Sequence, residues 1–369
     1  MKPYIPEKLP IDNLDYRRLF PLVGQANAEL ARYDGLLQGI VNPHVMLSPL
    51  TNEEAVLSSR IEGTQATVDE VLEQEAGLTK EGEKYKDIQE IINYRDALRS
   101  AHYYLKERPI TLSFILEIHK ILLNSVRGQN KNPGEFRKDQ NWIGLPGCTI
   151  EEATFVPPNP LQLQDYLEQW ERYVKGDDIE PLVQTAVMHA QFELLHPFKD
   201  GNGRIGRILI PLFLFQKRKL SQPMFYLSSY LEANRDTYYS RLQNISRDND
   251  WDGWIEFFLS AVMQQAKSNS FKVKQIMNLY DSMKERMQKL THSQYVIRLL
   301  DSLFNRPIFR TTDLIKETGI HKPTAMGLLR QLKEAEPPIL KELSPGSGRR
   351  AAVLCFLELL NIAEGKKIV

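Results

Sequence analysis

The 369-residue sequence has only two cysteines, and that scarcity removes two classes of architecture. Cys148 and Cys355 are too few for a disulfide framework or a zinc cluster, and both are expected as free thiols. Net charge is missing as well. Lys plus Arg and Asp plus Glu each number 47, so no global field draws the chain to nucleic acid or an anionic membrane, and any such partner needs a local patch. No run of about 18 apolar residues occurs, and the opening MKPYIPEKLPID carries no apolar signal segment. No membrane partner and a cytoplasmic location are therefore expected. The seven histidines show no HExxH spacing. Repeats and low-complexity tracts are absent. What is present is a 42% hydrophobic composition, enough for a large core and two or three domains.

The most informative stretch is residues 196–207, HPFKDGNGRIGR. Upstream, Leu182, Val183, Ala186, Val187, Ala190 and Leu194 recur at helical spacing, and Pro197 ends that helix just after His196. An imidazole at a helix rim titrates near neutrality and can take a proton from an attacking hydroxyl, an effect of about 10²–10⁴-fold in rate. Phe198 suits a core anchor for the loop. Asp200 is a hard oxygen donor of the kind Mg²⁺ uses beside phosphate oxygens. Gly201, Asn202 and Gly203 predict a turn with little side-chain bulk, and RIGRILIPLFLFQ a second helix whose first N–H groups form an anion cradle. Arg204 and Arg207, three apart, share one face and suit a polyphosphate. Singly, each feature is ordinary: a structural histidine, turn dipeptides, surface arginines. Together they point to phosphate transfer. Neither GKS nor GKT follows and no strand precedes, so this is neither a Walker A loop nor a dinucleotide fingerprint.

The stretch resembles the Fic family, whose HxFx(D/E)GNGRxxR signature it matches at every defined position. The resemblance implies transfer of AMP from ATP to a Ser, Thr or Tyr hydroxyl of a target protein, the chain itself included, with release of pyrophosphate. His196 is then the general base and Asp200 the ligand of the Mg²⁺ that arrives with ATP. Gly201, Asn202 and Gly203 form the anion hole, Arg204 binds the phosphate chain, and Arg207 meets the γ-phosphate. Residues 134–160, GEFRKDQNWIGLPGCTIEEATFVPPNP, read as a β-hairpin around Leu145-Pro146-Gly147, with strand-like pieces at 141–143 and 154–156. They resemble the Fic flap, which pairs with target main chain. Asn141, Trp142, Ile143 and Gly144 are the flap residues so implied. Downstream, Tyr238, Tyr239 and Leu242 match the stretch that closes the nucleotide base pocket. Ser246 stands where some relatives have Asn, which leaves the base identity open.

Residues 51–64, TNEEAVLSSRIEGT, carry a second signal. Thr51 and Glu54 fit a capping box, which predicts a helix from Thr51 to a stop at Gly63 (about 51–63). Ser58 and Glu62 then share a face, and Glu62 in the last turn opposes the helix dipole at a cost of about 0.3–1 kcal/mol. SSRIEG resembles the inhibitory motif (S/T)xxxE(G/N) of Fic proteins. There the glutamate pairs with the second motif arginine, here Arg207, and Ser58 steadies it. In some relatives the same glutamate promotes removal of AMP.

Helical periodicity dominates, so the expected fold is mainly α: a Fic-type helical core with a β-hairpin flap, plus a C-terminal winged helix-turn-helix. The expected domains are an N-terminal helical region 1–111, the catalytic core 112–262, a helical linker 263–290 and a winged-helix domain 291–369. His119 and His189 read as packing or polar core residues, with His189 placed to support His196 from beneath. In 291–369, TTDLIKET, Gly319 and KPTAMGLLRQLKEA give helix, turn, helix, and two strand-like runs flank SPGSGRR as a wing. This segment has 12 Lys and Arg against 8 Asp and Glu. Lys322, Thr324, Arg330, Arg349 and Arg350 suit DNA. The same module also suits a protein partner, because Ala325, Met326 and Gly327 offer little that reads bases. Family resemblance adds a homodimer. The leading function is an autoinhibited protein adenylyltransferase. Transfer of another nucleotide, AMP removal, and a DNA-binding regulator with a nucleotide-sensing core remain alternatives, the last disfavoured because a sensor needs no His196.

Overall fold

The computed structural model describes all residues except 1, 79–81, 125–128, 146, 349 and 365–369. Its helices, in chain order, are α1 (Tyr16–Gln38), α2 (Pro43–Met46), α3 (Ser48–Ile61), α4 (Val68–Glu75), α5 (Glu83–Leu105), α6 (Leu112–Leu122), α7 (Pro160–Lys175) and α8 (Pro181–Leu195). They continue with α9 (Asn202–Gln216), α10 (Ser228–Ala233), α11 (Arg235–Asp248), α12 (Trp251–Thr291), α13 (Val296–Asn305), α14 (Thr311–Thr318), α15 (Lys322–Glu334) and α16 (Leu357–Glu364). Strands β1 (Ile308–Arg310), β2 (Lys341–Ser344) and β3 (Val353–Cys355) complete the list.

The described residues fall into two compact units. The first comprises residues 1–35, 57–64 and 89–267, and the second 36–56, 65–88 and 268–369. The N-terminal region 1–111 contributes residues to both units. Its apolar faces are completed by residues far along the chain, as when buried Tyr33 donates from its hydroxyl to Met224 O. The segment 263–290 is helical throughout. It is the continuation of the single helix α12, and it buries Val273, Ile276 and Met287 completely.

The first unit is organised on α8, whose residues are buried on every side except Glu193. It packs against α7, α9 and α11. Trp170 and Trp254, both fully buried, donate their indole N–H groups to Met188 O and Ala186 O at 2.9 Å, so two large rings clamp the helix without orphaned donors. The N-terminus of α8 is finished by the Glu180 carboxylate, which accepts from the N–H groups of Leu182 and Val183.

The second unit contains a three-stranded antiparallel sheet in the order β1-β3-β2, with Ile308 and Lys341 both opposite Cys355. Helices α14 and α15 meet at Gly319 (φ +65°), as the turn at that glycine predicts. In chain order this part of the unit runs α13, β1, α14, α15, β2, β3 and α16. Strand β1 and helix α16 went unread in the sequence, since three residues of strand give no measurable alternation. Both cysteines are free, and burial pushes the Cys355 thiol up to about 12. No helix among the described residues is long and apolar enough to cross a membrane.

Candidate active site

The C-terminal end of α8 is made by His196 itself, which adopts the left-handed conformation (φ 44°, ψ 58°). For a residue with a Cβ this costs on the order of 1–3 kcal/mol and persists only where the surroundings over-determine it. They do. Pro197 has no N–H to continue the helix, and Asn202 clamps the loop by accepting from Phe198 N–H at 2.8 Å and donating to Phe198 O at 2.9 Å. Phe198 is fully buried and stacks on His119, with centroids 3.6 Å apart and planes 10° apart.

His119 does more than pack. Its Nδ1 accepts from Gly134 N–H at 2.9 Å, so Nε2 carries the proton and donates to Asp200 O at 3.0 Å. Burial lowers its pKa to about 4, and the ring is neutral in this role. His189 does not support His196. Its nitrogens face Gly206 O at 3.1 Å and the Tyr238 hydroxyl at 2.9 Å, tying α8 to α9 and α11 instead. A helix turn of 100° per residue sends positions 189 and 196 to neighbouring surfaces only while the helix lasts, and it ends at Leu195.

The second helix begins at Asn202, earlier than the turn of three small residues predicts, with Gly201 as its left-handed cap (φ +82°). Gly203, in the first turn, leaves room for the Glu62–Arg207 pair: a Cβ would lie 2.3 Å from Glu62 Oε1 and 2.9 Å from Arg207 Nη1, so added bulk would push these side chains aside. Arg204 and Arg207 leave this turn for different partners. Arg204 is held by Asp200 at 3.0 Å and Glu90 at 3.3 Å. Arg207 donates to the Ser58 hydroxyl at 2.8 Å, to Ser58 O at 2.9 Å and to Glu62 Oε1 at 2.6 Å. Glu62 thus meets Arg207 as the resemblance implies, while Ser58, expected to steady the glutamate, accepts from Arg207. Burial raises the Glu62 pKa, and Arg207, followed by Arg204 and His196, outweighs it and holds the carboxyl below its usual range.

The capping box expected at Thr51 is not formed. Helix α3 starts at Ser48, the Thr51 N–H already bonds Leu47 O, and its hydroxyl also turns back to that carbonyl. Pro49 in the first turn moves the start upstream. A capping box does occur at Thr67 and Glu70 on α4. Glu62 lies just past the helix end, in the turn closed by Gly63 (φ +106°).

A cavity of about 610 Å³ brings most of the expected residues together. His196, Gly203, Arg207 and Glu62 form one wall, Tyr238, Tyr239, Leu242 and Ser246 another, and Trp142, Ile143 and Gly144 the flap side. Asn141, Asp200, Gly201, Asn202, Arg204 and Ser58 are not part of the lining. Asn141 reaches the loop by donating to Phe198 O at 3.2 Å. Ser246 turns its hydroxyl to Gln243 O at 2.9 Å.

The flap is less of a hairpin than expected. Its arms meet at one bridge, Ile143 opposite Phe155, with Ile143 N–H donating to Phe155 O and Thr154 N–H to Ile143 O, both at 2.8 Å. Pro157 and Pro158 follow without donors, and Tyr4 N–H takes Val156 O, so no ladder can grow. Pro146, at the expected tip, lies outside the described residues.

His196 is poised as a proton acceptor: burial, ahead of the charge of Arg137, lowers its pKa to about 4 despite the opposing Glu193 carbonyl, Glu62 and Asp200. The wall residue Glu193 and, outside the lining, Arg137 escaped the sequence reading. Glu193 has a buried Oε1 without a hydrogen-bond partner among the described residues, and burial pushes its carboxyl up to about 8. Arg137, within the flap segment, contacts the His196 carbonyl. Their signal was a charged residue in an otherwise apolar helix and one in the flap approach. Among the described residues no group of three or more His, Cys, Asp or Glu could hold a metal, and Asp200 is a partly exposed carboxylate paired with Arg204.

Family models match the same parts of the chain. The one described as Fic/DOC family N-terminal covers residues 20–102, and the one described as Fic/DOC family covers 109–214. The chain belongs to the Fic/DOC family. A probable protein adenylyltransferase of Aquifex aeolicus is 29% identical over 196 residues, 52% of this chain and 56% of that protein. The protein adenylyltransferase Fic of Drosophila virilis is 28% identical over 146 residues, 38% of this chain and 28% of that one. The chain thus spans about half or less of these curated relatives. In fold, it resembles a Fic family protein from Desulfovibrio desulfuricans (TM-score 0.57, 18% identity, 96% of this chain and 98% of that chain). A Fic domain containing signaling protein from Bacteroides thetaiotaomicron is also similar (TM-score 0.55, 21% identity, 69% and 97%).

Proposed function

We propose that this Fic/DOC protein is an autoinhibited protein adenylyltransferase that moves AMP from ATP to a protein hydroxyl. The observation that carries the reading is the single cavity shared by His196, the Glu62-bound Arg207 and the tyrosine wall. In this scheme the hydroxyl oxygen attacks the α-phosphorus, the bond to pyrophosphate breaks, and His196 takes the hydroxyl proton. Tyr238, Tyr239 and Leu242 enclose the base, and the N–H groups at the start of α9 face the phosphates. Arg204 is the phosphate-chain ligand and Asp200, with phosphate oxygens, the holder of Mg²⁺, an ion that would neutralise charge on the leaving pyrophosphate. A partly exposed carboxylate suits this role, since Mg²⁺ takes one or two carboxylates beside substrate oxygens.

Glu62 is the brake. It occupies the guanidinium that the γ-phosphate would need, and a buried arginine released from one anion requires another, because stranding it costs about 3–5 kcal/mol. The flap supplies the acceptor's place: Ile143 spends its main-chain N–H and C=O on the other arm, so extended target chain is added on the opposite edge, at Trp142 and Gly144.

The test is incubation of wild type, Glu62→Gly and His196→Ala with Mg²⁺ and ATP labelled on the α-phosphate. Label on protein with Glu62→Gly, less with wild type and none with His196→Ala is expected. ATP binding without label in any extract overturns the transferase. Parallel arms with labelled UTP and GTP decide the base, given that Ser246 spends its hydroxyl on Gln243 O. Pre-labelled protein in the same assay reports AMP removal.

For residues 291–369 the proposal is a winged-helix module. Lys322, Thr324, Arg330 and Arg350 are exposed, which supports a nucleic-acid partner, while Ala325 is buried and Arg349 lies outside the described residues. Binding to duplex DNA by the full chain that weakens with salt would support it, and none at low salt would leave a protein partner.

A further inference from the structure

We infer that Arg137 is the positioning residue of His196, holding the turn that aims the imidazole by hydrogen bonds to three consecutive main-chain carbonyls. The inference rests on the reading of His196 as the base. Arg137 is 3% exposed. Its Nε donates to His196 O at 2.9 Å, and one Nη donates to Leu195 O at 3.4 Å and Pro158 O at 2.6 Å. The other Nη donates to Asp139 O at 3.3 Å, and the main-chain N–H to Pro197 O at 2.8 Å. Every acceptor is a carbonyl; no carboxylate pairs with this guanidinium among the described residues.

That is an unusual place for a buried charge, and two physical reasons favour it. Helix α8 ends with carbonyls that have no helical donors, at the negative end of its dipole, and a cation with several N–H groups answers both needs. A left-handed histidine also needs external restraint: the fork grips the carbonyls before it and at it, and the Arg137 main-chain N–H takes the one after it. Pro158 O, at the far foot of the flap, hangs from the same guanidinium, so the base and the flap share one anchor. Lysine offers a point charge and cannot span this set.

The arrangement has an electrostatic side. Burial lowers the Arg137 pKa only to about 10, so the group stays charged at neutral pH. Its charge disfavours the imidazolium of His196, whereas Glu62, Asp200 and the Glu193 carbonyl favour it. Removing Arg137 therefore shifts His196 toward protonation. A residue that merely filled space would leave that titration unmoved.

The experiment uses the full chain with Glu62→Gly as parent, and adds Arg137→Gln or Arg137→Lys. Three quantities are read: kcat and KM for ATP in label transfer, and the His196 titration by NMR of ¹³C-labelled histidine, its signal identified by loss in His196→Ala. Arg137→Gln is expected to lower kcat by about 100-fold, the scale of an ångström's misplacement, with KM changed by less than about threefold. Its His196 pKa rises. Arg137→Lys keeps that pKa near the parent's and recovers only part of kcat. An unchanged kcat in both variants, or a loss accompanied by an unmoved His196 titration in Arg137→Gln, overturns the inference. Where Arg137→Gln fails to fold, Arg137→Lys decides, and full parental kcat there is fatal to it. If the Glu62→Gly parent transfers no label, the transferase reading fails, and the NMR titration still decides whether Arg137 governs His196.

Discussion

The loop from His196 to Gly203 and the flap from Asn141 to Val156 line one cavity, yet they are held in opposite ways. In the loop, Asn202 bonds Phe198 twice, His119 fixes Asp200 O and stacks on Phe198, and Arg137 grips the carbonyls of 195–197. The flap has one bridge, and it leaves Trp142, Ile143 and Leu145 exposed. The difference teaches where each kind of work can be done. A proton acceptor and a phosphate cradle must be placed within a fraction of an ångström before the substrate arrives, so their support is redundant. A surface that receives extended main chain must keep its own bonding edge unspent.

The comparison can be broken most forcefully at the base. His196→Ala should lower label transfer by about 10²–10⁴-fold in the Glu62→Gly background, with ATP binding and melting temperature retained. Asn202→Ala should come next, losing about 1–3 kcal/mol in a denaturant titration, because it strands the N–H of buried Phe198, whose carbonyl keeps only its bond from Asn141. If it costs nothing, the loop is not over-determined.

Glu193→Gln sharpens the picture of the wall through pH. With its folded pKa raised to about 8, Glu193 binds more protons folded than unfolded between its ordinary value near 4.5 and 8. Wild-type stability therefore falls with rising pH across that window, and glutamine escapes the loss. The variant's advantage should be nil at pH 4.5 and reach about 1–2 kcal/mol at pH 8 in paired thermal melts, a fraction of the full linkage once relaxation and water are allowed for. The smallest stability effect is expected at the flap. Ile143→Pro removes the N–H donated to Phe155 O, and should cost under about 1 kcal/mol. Labelling of protein should nonetheless drop about tenfold or more while ATP binding holds. Equal losses of both would mean that the flap supports the nucleotide instead.

Much of this was legible in the residues. The helix before His196, its stop at Pro197, the glycine-started second helix and the helix-turn-helix around Gly319 all follow from local rules, since periodicity and backbone preference act within a few residues. The meeting of Glu62 with Arg207 came from a resemblance, because nothing local relates positions 145 residues apart. Where local rules competed they misled: Thr51 and Glu54 fit a capping box, yet Pro49 and the Leu47 carbonyl claimed that turn.

By itself, then, the sequence determined which segments coil, where they stop and which residue types gather in the motif. The tertiary structure alone decided that Arg204 and Arg207 part company, that His189 serves Tyr238 and not His196, and that Arg137 and His119 hold the loop. The physical reason is range. Propensity is settled along the chain, whereas a buried polar group takes whichever partner the packing brings within about 3 Å, and that partner can come from anywhere.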